Sequence, residues 1–188
     1  MVRWEPGTSD RLRQAALELY DSRGFDETTA ADVARAVGVT ERTFFRHFAD
    51  KREVLFNGQE LFQGAFLRGM GDAEATATVL EVITHALRGA AAFFPSEHRD
   101  FARLRQRVIV ANPALHEREL LKMAGLATVL AAAFRERRVP EPEASLAAHT
   151  TVTVFGVAFS LWLAPGEERA FVDIELDALG HLTAMAGR

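Results

Sequence analysis

The segment TTAADVARAVGVTERTFFRHF, residues 28–48, carries two helix-start signals with a single glycine between them. Thr29 is followed three residues later by Asp32, the spacing of a capping box, in which each side chain binds the other residue's backbone N–H. Thr40 is a second N-cap, with Val39 and Phe44 at the positions of a hydrophobic staple. Ala30, Val33, Ala34 and Val37 form an apolar stripe between the two starts, and Gly38 stops it. This spacing demands two short helices joined by a tight turn.

The rest of the chain also follows helical period, with no run of period-2 alternation. Leu12, Ala15, Ala16, Leu19 and Tyr20 line one face of a first helix that ends at Gly24. Asp50 and Glu53 repeat the capping-box spacing and predict a fourth helix running through Val54, Leu55, Leu61, Phe62 and Phe66. Further helices are expected over about 74–94, 97–110, 112–138, 143–164 and 167–186. Asn112-Pro113 supplies an N-cap and first helical residue, and Pro165-Gly166 separates the last two helices. The expectation is an all-α protein of about nine helices. A three-helix helix-turn-helix domain would occupy residues 1–52, and a larger helical domain residues 53–188.

Apolar residues make up 48% of the 188-residue chain and charged residues 26%, enough to bury a core. There is no cysteine, so disulfides, thiol catalysis and cysteine zinc sites are excluded. The N-terminus has no apolar signal core, and the uncharged run from Thr150 to Gly166 is shorter than the ~20 residues of a membrane span. A soluble, cytoplasmic protein is expected. The net charge of −4 argues against bulk nucleic-acid binding, because phosphate attracts basic surface. Residues 35–52 differ: Arg35, Arg42, Arg46, Lys51 and Arg52 oppose only Glu41 and Asp50, a local +3. Any nucleic-acid site must be small and local.

Two short helices around a glycine turn can place the second in the DNA major groove while the first crosses the backbone. On that second helix, Val39, Phe44 and Phe48 suit the core, which leaves Glu41, Arg42, Phe45, Arg46 and His47 for other faces. Arg42 and Arg46, one turn apart, could reach guanine edges or phosphates, and Glu41 could accept from a cytosine amino group. The hydroxyls of Thr29 and Thr40 lie at helix starts, where phosphate is favoured. The same residues also fit a plain solvated helix face.

The run RGFDETTAADVARAVGVTERTFFRHFADKREVL resembles the DNA-binding domain of the TetR family of transcriptional regulators, and the likeness covers residues 10–56. It rests on Gly24-Phe25, Thr28-Thr29, Asp32-Val33-Ala34, Gly38-Val39-Thr40, Thr43-Phe44-Phe45, His47-Phe48 and Lys51. The resemblance implies a DNA-facing set of Thr29, Thr40, Glu41, Arg42, Thr43, Phe45, Arg46, His47 and Lys51, acting on a palindromic double-stranded operator. Family members commonly carry Tyr at the place of Phe45, and its hydroxyl touches a phosphate; losing that hydrogen bond costs about 1 kcal/mol.

The resemblance also implies a homodimer, most often a repressor, whose middle helices enclose a small-molecule effector site. Apolar and aromatic residues dominate the candidate lining (Phe93, Phe94, Phe134, Phe155, Phe159 and Trp162), with His85, Arg103, Arg107, His149 and Thr153 as polar anchors. A hydrophobic or aromatic effector follows, with an anionic head group if an arginine points inward. The same aromatics fit an ordinary core. Val154, Ala158, Trp162, Phe171, Ile174, Leu179 and Leu182 on the last two helices are the dimer-interface candidates, and they equally fit packing within one subunit. No cofactor or metal is implied: the six histidines are scattered, and HExxH, GxSxG, P-loop and GxGxxG patterns are missing from the sequence. An all-helical small-molecule-binding protein or enzyme without a DNA role is the alternative.

Overall fold

The computed structural model describes residues 7–187. Among them are nine α-helices and no strand. Two compact units form, and neither follows a single stretch of chain.

The first unit holds residues up to Asn57 together with Arg103–Glu119. It contains α1 (Thr8–Arg23), α2 (Ala30–Ala36) and α3 (Glu41–His47), then a 3-10 turn at Glu53–Phe56. It also takes most of α6 (Arg99–Ala111) and the first turns of α7 (Pro113–Glu136). Leu12, Leu17, Val33, Phe44, Val54, Ile109 and Leu115 are buried in it. Arginines and carboxylates fasten the later segment to the earlier one. Arg105 donates from Nε to the Leu55 carbonyl at 3.0 Å and from Nη1 to Glu119 at 2.9 Å, with its guanidinium 5.3 Å from the Phe56 ring centre. Arg118 donates to Glu53 at 2.8 Å, and Arg107 to Asp21 at 3.2 Å. Asn112 Oδ1 accepts from the amides of Ala114 and Leu115, so Asn112 caps α7 as expected.

The expected fourth helix is divided. The chain leaves the 3-10 turn at Asn57 and takes a left-handed conformation at Gly58, with φ of 89°. Only then does α4 (Gln59–Asp72) begin. A residue without Cβ enters this conformation at little cost. Asp50 does act as the cap, its Oδ1 accepting from the amides of Arg52 and Glu53.

The second unit holds Gly58–Ala102 and the chain from Leu120 onward. It comprises α4, α5 (Val79–Ala91), the first turn of α6, the rest of α7, α8 (Glu143–Trp162) and α9 (Phe171–Ala186). A capping box of Thr78 and Glu81 starts α5, and the hydrogen bonds from Thr78 hold the Glu81 carboxyl below its ordinary pKa. α4 and α5 cross at two glycines, Gly69 and Gly89, so close that backbone meets backbone. α8 is long and apolar enough to cross a membrane by length and composition alone, with mean hydropathy 1.4, and 39% of that window is buried. It begins at Glu143, well before the uncharged run that starts at Thr150. Its buried side supplies the centre of this unit's core.

Candidate nucleic-acid interface

Local signals build the two-helix element almost completely. Thr29 accepts from the Asp32 amide at 3.1 Å, and Asp32 Oδ2 accepts from the Thr29 amide at 3.1 Å and hydroxyl at 2.6 Å. Those Thr29 bonds are the main reason the Asp32 carboxyl sits below its ordinary pKa. At the far end of α2 the Gly38 amide donates to the Arg35 carbonyl at 3.1 Å and the Val39 amide to the Ala34 carbonyl at 3.0 Å. That pair of bonds is a Schellman motif, and it requires the left-handed φ of 75° that Gly38 adopts. Thr40 then accepts from the Thr43 amide at 3.2 Å and starts α3.

α3 is held by two rings. Phe44 and Phe48 are buried, with centroids 5.4 Å apart. Their spacing turns the opposite side of the helix outward: Glu41, Arg42, Phe45, Arg46 and His47 are exposed, and Thr43 is half-buried. Phe45 is 51% exposed and meets only the edge of Phe44. Among the described residues Arg42 and Arg46 bind no carboxylate or carbonyl. Arg35, Arg52, Arg105, Arg107, Arg118, Arg135 and Arg169, by contrast, all do. Two unpaired guanidiniums one turn apart beside an exposed ring can accept anionic or hydrogen-bonding partners with no internal bond to break first.

Lys51 is placed differently from these. Its ammonium lies 4.2 Å from the Phe25 ring centre and donates to the carbonyls of Phe25, Asp26 and Thr28 at 2.8, 3.3 and 3.1 Å. An ammonium has three donors, and here all three are occupied. The Lys51 carbonyl accepts from Tyr20 Oη at 2.7 Å, and burial, then Asp50, pushes the Tyr20 phenol above its ordinary pKa. Tyr20, Thr28 and Lys51 thus join the end of α1 to the segment after α3. Sequence reasoning missed Tyr20 and Thr28, because nothing local signals three carbonyls converging on a lysine 23 residues or more away. Lys51→Met is expected to cost about 2–4 kcal/mol in urea denaturation, because charge-assisted bonds are lost and carbonyls are left unpaired. A loss under ~0.5 kcal/mol would show that these contacts carry no weight.

Residues 12–57 match the family of bacterial regulatory proteins known as the tetR family, and residues 77–185 match the MftR C-terminal domain. The chain belongs to the TetR family. It is therefore a DNA-binding transcriptional regulator in its family assignment. Streptomyces glaucescens TcmR, an HTH-type transcriptional regulator, is 40% identical over 81 residues, which span 43% of this chain and 36% of TcmR. A Mycobacterium tuberculosis H37Rv relative, whose name MftR ties it to regulation of mycofactocin biosynthesis, is 28% identical over 159 residues, 82% of this chain and 78% of its own. The fold is shared with Thermus thermophilus FadR, a TetR-family repressor solved with lauroyl-CoA, at TM-score 0.57 and 23% identity over 93% of each chain. A TetR-family protein from Syntrophomonas wolfei superposes at TM-score 0.68 and 14% identity over 96% of this chain and 95% of that one.

The expected effector-site residues of this TetR-family chain are only partly brought together. Phe94 contacts Phe155 at 5.6 Å, Phe159 at 5.4 Å and Trp162 at 5.8 Å, and Phe134 is buried in the same core. Phe62 and Phe171, the latter expected at a dimer interface, join the ring cluster. Phe93 sits at its rim, and His85 is half-buried on α5. His149 and Thr153 are exposed on α8, while Arg103 and Arg107 lie in the first unit, Arg107 paired with Asp21. His149 and Thr153 thus face outward, and Arg103 and Arg107 group with the other unit.

The residues expected at the subunit interface need correction. Val154, Ala158, Trp162, Phe171, Ile174 and Leu179 are buried within the second unit, and Leu182 packs against them. α8 carries large apolar residues on both its buried and its exposed sides, so period alone identifies stripes without saying which one turns inward. The stripe left exposed carries Leu146, Val157 and Leu161 with Gly156 and Ser160 among them.

Proposed function

We propose that this protein is a homodimeric, effector-released repressor that grips a palindromic operator through α3. The observation that carries the reading is the outward face of α3, where unpaired Arg42 and Arg46 flank the exposed Phe45 while Phe44 and Phe48 lock the helix. Glu41, Arg42 and Arg46 read base edges. Thr29, Thr40, Thr43, Phe45 and His47 position the backbone, with Lys51 acting through its charge and the loop it holds. Two copies pair through the exposed apolar stripe of α8 and through α9, which sets the two recognition helices about one DNA turn, roughly 34 Å, apart. A small hydrophobic or aromatic effector in the second unit favours a different separation and releases the operator, a coupling of about 1–3 kcal/mol. FadR, which shares the fold, is a repressor that binds an acyl-CoA, and that supports an apolar effector here. Such a protein works in the cytoplasm.

The test is to recover genomic DNA fragments on the purified protein, then measure affinity for the enriched site by fluorescence anisotropy. A palindromic site is expected, and Arg42→Ala plus Arg46→Ala should weaken it at least about 30-fold, since each lost arginine contact is worth about 1–3 kcal/mol. Circular dichroism should be unchanged, because neither side chain has an internal partner. Equal binding by the double variant would remove the reading.

A further inference from the structure

Among the described residues, one side chain from outside α2 and α3 bonds to the turn between them. Arg11, in the first turn of α1, donates from Nη2 to the Val37 carbonyl at 2.6 Å. Val37 is the C-cap of α2, so its carbonyl is one that a helix end leaves without an internal partner. The other bonds of the turn are local: the Gly38 and Val39 amides close onto Arg35 and Ala34. No carboxylate pairs with Arg11, which is exposed. Two residues earlier, Ser9 Oγ accepts from Asn57 Nδ2 at 3.2 Å. The start of α1 therefore bonds to the chain both before and after α3. α1 is itself a firm support, with Leu12, Ala16 and Leu17 wholly buried.

We propose that Arg11 is a positioning residue for operator recognition: it braces the turn before α3 against α1 and so fixes how the first turn of α3 meets base edges. This role rests on the reading of α3 as the recognition helix. Such a helix reads bases with its N-terminal residues, which here are Glu41 and Arg42. Both precede the buried anchors Phe44 and Phe48, so the rings hold the later part of α3 and the turn must hold its start. A helix of seven residues has too few internal bonds to hold that start alone. Gly38 gives the turn its left-handed φ, and a glycine is equally free to leave it. A guanidinium bonded to the Val37 carbonyl removes that freedom before DNA arrives. Bidentate contacts to a base tolerate little misplacement, so the brace acts on specificity.

Three roles for an exposed arginine at this place have different signatures. A phosphate ligand contributes to the salt dependence, so its removal lowers the slope of log affinity against log salt by about 0.9 and weakens all duplexes alike. A bond that serves stability alone shifts the urea midpoint and leaves the folded protein's affinity unchanged. A brace lowers affinity for the specific site, while the salt slope and the affinity for unrelated DNA stay the same.

The experiment compares the full-length protein with Arg11→Met, which keeps an apolar stem and no donor, and Arg11→Lys, which keeps a charged donor. Anisotropy titrations use the recovered palindromic site and a scrambled duplex over a range of salt. Arg11→Met should bind the palindrome about five- to tenfold more weakly, the scale of one lost charge-assisted bond, and the scrambled duplex equally well. Its salt slope should be unchanged, and Arg11→Lys should recover most of the affinity. A second readout needs no DNA: amide hydrogen exchange followed by NMR in the free protein. The Val39 amide, bonded to the Ala34 carbonyl across the turn, should exchange about tenfold faster in Arg11→Met. The Phe48 amide, bonded to the Phe44 carbonyl, should keep its rate. Unchanged affinity for the palindrome, a slope lower by about 0.9, an equal loss on the scrambled duplex, or no recovery in Arg11→Lys overturns the proposal. If a palindrome is recovered and neither affinity nor exchange changes, only the brace falls. If none is recovered while Val39 exchanges faster, the brace stands and the operator reading falls.

Discussion

Gly69→Ala is expected to destabilise the protein by about 2–3 kcal/mol or to prevent folding. A Cβ at Gly69 would land inside van der Waals contact of the His85 carbonyl on α5, and one at Gly89 would meet the Ala65 carbonyl and the Gly69 backbone on α4. These are backbone atoms of packed helices, which cannot rotate away as a side-chain tip can. Overpacking costs about 1–3 kcal/mol even where side chains can adjust, and the ~1 kcal/mol that alanine gains in helix propensity does not offset a clash of this kind. Gly71, two residues further along α4, has no atom near its missing Cβ. Gly71→Ala should therefore be neutral or stabilise by up to about 1 kcal/mol. Urea denaturation of the two variants gives opposite signs if the crossing is as close as described. Two variants of equal stability would refute it.

The second large effect is on pH. Glu175 carries an acid raised to about 9 by burial, against an ordinary value of 4.5. The folded protein keeps this proton where the unfolded chain has lost it. The stabilising term is complete below about pH 4.5 and is lost as pH rises towards about 9. The slope is about 1.4 kcal/mol per pH unit, so roughly 3 kcal/mol disappears between pH 5 and pH 7. Glu175→Gln removes the titration and leaves the volume. The variant should gain on the natural protein steadily across that window and be the more stable near pH 8. A stability difference that does not change with pH would mean that Glu175 is already ionised in the fold.

The first fifty residues were largely legible because their instructions are local. Thr29 with Asp32, Thr40 with Thr43, Gly24 and Gly38 act within four residues of themselves, and each bond appears where the spacing puts it. The division of α3 into a buried pair, Phe44 and Phe48, and an outward set could be read for the same reason: a seven-residue helix has few ways to bury two rings four apart. Phe45 was legible as an exposed aromatic, and its exposure is confirmed.

Elsewhere local information was insufficient. The capping signal at Asp50 was real, yet Asn57-Gly58 divided the helix it opened. The lysine expected at phosphate spends its donors on three carbonyls. Residues 103–119 read as part of the regulatory domain but group with the DNA-binding helices, through arginine contacts to Leu55, Glu53 and Asp21 that sequence spacing cannot reveal. Glu175 interrupts the apolar stripe of Phe171, Ile174 and Leu179, a local sign that this acid shares their buried face.

By itself, the sequence determined where helices start and stop and which face of the short recognition helix is apolar, because caps, left-handed glycines and helical period are settled over a few residues. Only the tertiary structure decided which stripe of α8 and α9 turns inward, where Lys51 and the later arginines bind, and that Glu175 is buried with no hydrogen-bond partner. Where large apolar residues stand on more than one side of a helix, burial energy alone does not single out one face; the neighbouring helices choose it, and with it the groups left for DNA, effector and partner.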